Sequence, residues 1–145
     1  MKLSEDPDYV AHGHSYLDAK YKDAIAHLSE CLNRVKLANN ADLVSFVLQR
    51  IGHVYLVMGD SYNALRSFEL AECEAPASLV TGLAHVKFLA DEMNDYELAV
   101  KKADKLLWAY EGGKFDEESR FVFGADHVAK VREIRDFARS KLADP

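Results

Sequence analysis

The chain has 145 residues, 49% of them hydrophobic and 29% charged, and a formal net charge of −6. That length suits a single domain with one core, and the composition is that of a folded chain rather than a disordered one. An acidic balance without a net basic cluster argues against a nucleic-acid partner, and no run of about 18 apolar residues is available for membrane insertion.

Cys31 and Cys73 fit neither a metal spacing nor a secreted disulfide framework, so both are expected as buried free thiols in a cytoplasmic protein. Seven Gly and three Pro are few turn residues for this length, which favours helices.

Residues 7–38 read as a first helical hairpin. Tyr9, Gly13 and Tyr16 belong to its first helix, and Asp18-Ala19-Lys20-Tyr21 makes the turn. Ala24, Leu28, Cys31, Leu32 and Val35 carry a longer second helix until Asn39-Asn40 and Asp42 break the pattern. Residues 41–76 read as a second hairpin. Leu48, Ile51, Tyr55 and Met58 form one buried stripe, and Gly52 lets the paired helix come close. Gly59 tolerates a left-handed stop, Asp60 caps the next helix, and Ala64, Phe68, Ala71 and Ala75 form the answering stripe before Pro76 ends it. Gly13 and Tyr16 stand 39 residues before Gly52 and Tyr55, and Ala24 and Leu28 stand 40 before Ala64 and Phe68. The unit therefore repeats.

Residues 78–110 give a third, weaker copy. Leu83, Val86, Ala90 and Met93 face Tyr96, Ala99, Ala103, Leu106 and Tyr110 across a turn at Asn94-Asp95. A linker over 111–125 contains Gly112-Gly113, the acids Asp116, Glu117 and Glu118, and Phe121-Val122-Phe123. The last helix, 126–142, carries Val128, Val131, Ile134, Ala138 and Leu142 on one side and charges on the other, the pattern of a capping helix over the open end of a stack.

The second unit, with Leu48, Ile51, Gly52 and Tyr55 followed by Ala64, Phe68, Ala71 and Pro76, resembles the tetratricopeptide repeat (TPR) signature. The resemblance extends over residues 7–110 and departs from the family at Lys87, where glycine belongs, and at Ala90, where tyrosine belongs. It implies an all-α fold of about seven helices: a TPR-like stack of antiparallel hairpins, or α-solenoid, of about three repeats in a right-handed superhelix. In that family the first helices of successive hairpins line a concave groove that holds a peptide or a helix of a partner protein. Carried onto this chain, the groove positions are Phe46, Gln49, Arg50, His53 and Val57, then His14 beside Val10 and Leu17, then Thr81, Ala84, Phe88, Asp91 and Glu92. The Lys and Asn clamp by which one TPR subtype holds chaperone tails is absent, since Val10, His14, Gln49, His53 and Ala84 stand in those places.

Each polar member of this strip has a plain reading and a sharper one. His14 and His53, each following a repeat glycine, are either ordinary lining or hydrogen-bonding groups for a ligand. Arg50, the one cation of the strip, either makes a surface ion pair or meets a partner's carboxylate. Trp108 lies off its helix stripe. It is either covered by Phe115, Phe121 or Phe123, or it forms a second binding patch with Phe121 and Phe123.

Neither a cofactor nor a metal site nor catalysis is expected. His12 and His14 are two apart on a helix and diverge, and no zinc-protease or dinucleotide motif occurs. Glu111-Gly112-Gly113-Lys114 lacks the spacing of a phosphate loop. The function expected is a non-catalytic adaptor for a protein or peptide. The alternatives are a small acidic chaperone similar to those of bacterial secretion translocators, and a self-assembling protein, that is, a homo-oligomer.

Overall fold

The computed structural model describes residues 2–76, 78–111 and 124–143, the side chains of 79, 124 and 125 apart. The described residues contain no strand. A short 3-10 turn, Leu3–Glu5, precedes α1 (Pro7–Leu17), α2 (Tyr21–Leu37), α3 (Ala41–Val57), α4 (Ser61–Glu74), α5 (Leu79–Asp91), α6 (Tyr96–Glu111) and α7 (Gly124–Ala143). The protein is all-α, a helical stack in which consecutive helices pack within two compact units, Met1–Ala75 and Pro76–Pro145.

In the first unit the helix ends follow from local chemistry. Asp6 Oδ1 accepts from the amides of Asp8 and Tyr9, both at 3.0 Å, and Pro7 occupies the first helical position, where its missing N–H costs nothing. Asn40 caps α3 through the Leu43 amide at 3.1 Å, and Asp60 caps α4 through that of Asn63 at 3.1 Å. Each of the three turns contains one residue with positive φ: Ala19 at 58°, Asn39 at 54° and Gly59 at 79°. The glycine stop is the one read from sequence. Alanine at 19 holds the same backbone conformation at a steric cost.

The interior of this unit gathers Ala24, Leu28, Cys31 and Val35 from α2, Val44, Val47, Leu48, Ile51 and Val54 from α3, and Ala71 from α4. Burying each large aliphatic side chain contributes about 1.5–3 kcal/mol. Helix α3 packs against both α2 and α4, so its buried face is wider than a single stripe and takes in three valines beyond the expected positions. Ser45 also lies inside, its hydroxyl donating to the Ala71 carbonyl at 2.8 Å. A Cβ built at Gly52 would sit 3.1 Å from ring carbons of Phe68, so this glycine lets α4 approach closely. At Gly13, its counterpart in the repeat, an added Cβ would meet nothing within 4 Å. Two glycines in matching positions therefore do different things.

Asp6 also ties α1 to α2. It is 5% exposed and accepts from Arg34 Nε and Nη2, both at 2.8 Å, while the same guanidinium donates to Asp8 at 2.5 Å. The second oxygen of Asp8 accepts from His27 Nδ1 at 2.9 Å. The bidentate pairing with Arg34 holds the Asp6 carboxyl down to about 2.

In the second unit Ser78 caps α5 through the Thr81 amide, Asn94 takes φ 52° in the turn, and Asp95 accepts from the Leu98 amide at 3.2 Å. Helix α5 packs against α6 and α7 together. A helix covered on two sides is apolar nearly all round, and here Gly82, Val86, Phe88, Leu89 and Ala90 are all buried. The close approach in this hairpin falls at Gly82, where a Cβ would meet Leu106 Cδ2 at 2.5 Å. It does not fall at Lys87, where the repeat register puts it. Helix α7 buries Val128, Val131, Ile134 and Ala138 and is tied to α6 by Arg135 and Arg139 on Asp104, at 3.5 and 3.1 Å.

Several expected core members lie outside. Met58 and Met93 are exposed because each falls past the last turn of its helix. Leu142 is exposed because α7, with 20 residues, is longer than α5 with 13 and α6 with 16, and its final turn outruns them. Of the two free thiols only Cys31 is buried; Cys73 is exposed near the end of α4.

Replacing Ala19 by Gly relieves the left-handed strain, and urea unfolding is expected to show a gain of about 1 kcal/mol. Asp6→Ala removes a cap worth about 1–2 kcal/mol as well as the anchor of Arg34, and is expected to lower the same midpoint. Because the folded pKa of Asp6 is depressed, its contribution is complete above the ordinary value of 3.8 and fades as pH falls through about 2. An acid titration of wild type against Asp6→Ala checks that order.

Candidate functional site

Helix α1 places Val10, His14 and Leu17 at helical spacing, and all three are exposed. On α3 the spacing puts Phe46, Arg50, His53 and Val57 along one side, with Gln49 beside them. Phe46 is 40% and Val57 48% exposed; Gln49, Arg50 and His53 are half-buried. The two helices meet through the rings of Tyr9 and Phe46, whose centroids lie 6.4 Å apart. His53 stands edge-on to Phe68 at 5.2 Å, so its ring packs against the same aromatic that fills the space at Gly52.

The remaining sequence candidates fall elsewhere. Ala84 is half-buried in the second unit. Phe88, expected as a groove contact, is 2% exposed and belongs to the interior, because α5 is covered on two sides. Trp108 is 61% exposed on α6, whereas Phe121 and Phe123, expected to join it, lie outside the described residues, as does Phe115.

Beneath the strip lies a residue that the sequence reading used only to dismiss a metal pair. His12 is 2% exposed, in contrast to the exposed His14 two residues on. Its Nδ1 donates to the Tyr9 carbonyl, its ring stands edge-on to the Tyr9 ring at 4.6 Å, and its Nε2 is buried with no hydrogen-bond partner. Burial pushes the His12 pKa down; the Tyr9 carbonyl opposes that, and the nearby Arg50 and His27 side chains add to it. The imidazole is thus neutral at physiological pH, with a bare acceptor at Nε2.

Arg50 is the second polar group of this kind. Its Nε is buried without an acceptor, and among the described residues no carboxylate pairs with it. An unsatisfied buried donor costs about 1–3 kcal/mol. Neither feature was visible beforehand, since helical spacing assigns a face but says nothing of whether a partner is in reach.

An open recess of about 370 Å³ is lined by Lys2, Glu5, Asp6, Pro7 and Arg34. Asp6 and Arg34 are already committed to one another there, so the recess is a by-product of the clasp that joins α1 to α2. Among the described residues no three His, Cys, Asp or Glu side chains converge as a metal site, and no helix is long and apolar enough to cross a membrane. No protein-family model matches the chain, and no curated protein does either.

The neutral buried imidazole carries a stability signature. A depressed folded pKa means that the unfolded chain takes up a proton near the ordinary value of 6.5 while folded His12 does not. Stability should therefore fall as pH drops below about 6.5. Urea unfolding at a series of pH values between about 7.5 and 5.5 should show this slope in wild type and a shallower one in His12→Gln.

Proposed function

We propose that the chain is a non-catalytic protein–protein interaction module of the tetratricopeptide kind, holding a peptide or helix of a partner protein against α1 and α3. The observation that carries this reading is the strip itself. Val10 and Leu17 on one helix and Phe46 and Val57 on the next are large apolar side chains left exposed at regular helical spacing. Single exposed apolar residues are ordinary on a protein surface, but a run of them on neighbouring helices is the usual mark of an interaction site. The repeat pattern of Leu48, Gly52, Tyr55, Ala64 and Phe68 supports the same reading, since the corresponding helices of that family line the groove. Two free cysteines are in keeping with a cytoplasmic setting. The net charge of −6 favours a protein partner over a nucleic acid.

The test leaves Arg50 untouched. Wild type and a Phe46→Ala/Val57→Ser double variant are immobilised and offered lysate of the source cells, with circular dichroism confirming that both are folded. A protein retained by wild type and weakened about tenfold or more by the variant is the expected result. Equal retention by both moves the site away from this strip. Capture of the chain's own copies would turn the reading to self-assembly, and capture of one insoluble cargo would turn it to a dedicated chaperone.

A further inference from the structure

Resting on the groove reading above, we infer that the partner segment carries an acidic side chain set between apolar residues, and that Arg50, in the strip with Phe46 and Val57, reads its carboxylate. Among the described residues the other arginines fall into two groups. Arg34, Arg132, Arg135 and Arg139 are each paired with a carboxylate of the chain, while Arg66 is exposed to solvent. Arg50 belongs to neither group, being half-buried, with a dry Nε and no carboxylate within the described residues. The Nε is withdrawn from water while the residue as a whole stays partly exposed, and the planar, bidentate geometry of a guanidinium makes carboxylate a natural acceptor for it.

The rest of the strip on α1 and α3 supplies none. Val10, His14, Leu17, Phe46, Gln49, His53 and Val57 include no acid, in a chain with 24 acidic residues against 18 basic ones. His12 cannot serve as counter-charge, because an imidazole is either neutral or cationic. A single arginine suits a singly charged carboxylate better than a phosphate dianion, which is commonly held by a cluster of such residues.

The position of Arg50 within the strip distinguishes a side-chain carboxylate from a chain end. Phe46 lies one turn before it, and His53 and Val57 lie one and two turns after it, so apolar or aromatic surface continues in both directions. From Phe46 to Val57 the strip is roughly 17 Å long at 1.5 Å per residue. A bound segment that covers both ends carries its acid in the interior of its own sequence.

The experiment is selection of a display library of random peptides about 16 residues long, with amidated or fused carboxyl ends so that no terminal carboxylate is offered. Wild type, Phe46→Ala, Arg50→Gln and Arg50→Glu are the baits, each checked for native circular dichroism. Expected are wild-type binders with Asp or Glu between apolar residues, weakened by Phe46→Ala and weakened about tenfold or more by Arg50→Gln. Exchanging that peptide acid for Arg should restore binding to Arg50→Glu and not to wild type. Binders that depend on Phe46, show no acidic preference and ignore Arg50→Gln would overturn the inference while leaving the groove standing. If no selected peptide responds to Phe46→Ala, the groove reading and this inference fall together. If binders appear only from a library with free carboxyl ends, the carboxylate is terminal and the side-chain assignment is wrong.

Discussion

With α2 against one flank and α4 against the other, α3 has to bury most of its circumference, and the first unit is organised around that requirement. Val44, Val47, Leu48, Ile51 and Val54 go inward. Gly52 gives up its side chain so that the Phe68 ring can lie against the helix backbone. One side alone is left over, and it holds Phe46, Arg50, His53 and Val57. The proposed site is made from what neighbouring helices leave uncovered, and preformed helical backbone favours recognition by shape over recognition by folding of the receptor.

Arg34 and Arg50, two of the three arginines of this unit, differ in how their donors are paired. Arg34 spends its donors on Asp6 and Asp8 and thereby fixes how α1 leaves the amino-terminal turn and lies on α2. Arg50 has comparable exposure and none of those partners. Clasps such as that of Arg34 are complete within the chain, so their cost and gain close internally. An unmatched group on a rigid helix leaves a deficit that an external acceptor can make good.

The hairpins were legible because the signals that end helices are local. Asn40, Gly59-Asp60 and Asn94-Asp95 lie within a few residues of the backbone groups they satisfy, and the observed helices begin and end beside them. Contacts between distant residues were not legible. Nothing in the repeat register says that Gly13 faces open space while Gly52 faces Phe68, or that the close contact of the third hairpin moves to Gly82 against Leu106. Phe88 was misread for a related reason: a single-stripe reading allows each helix one buried side, and α5 has two neighbours to cover it. The exposure of Val10, His14, Leu17, Phe46 and Val57 was readable from helical spacing. The burial of His12 and the isolation of Arg50 were not, because both depend on what other helices bring near them.

The contrast between the two thiols has a practical consequence for labelling chemistry. Cys31 is enclosed among α2 and α3 side chains, and burial pushes its pKa up to about 11, so at neutral pH it offers almost no thiolate to an electrophile. Cys73 is exposed near the end of α4. A maleimide dye applied under native conditions should therefore attach at a single position, giving a fluorescent reporter on the first unit with every residue of the natural sequence left in place.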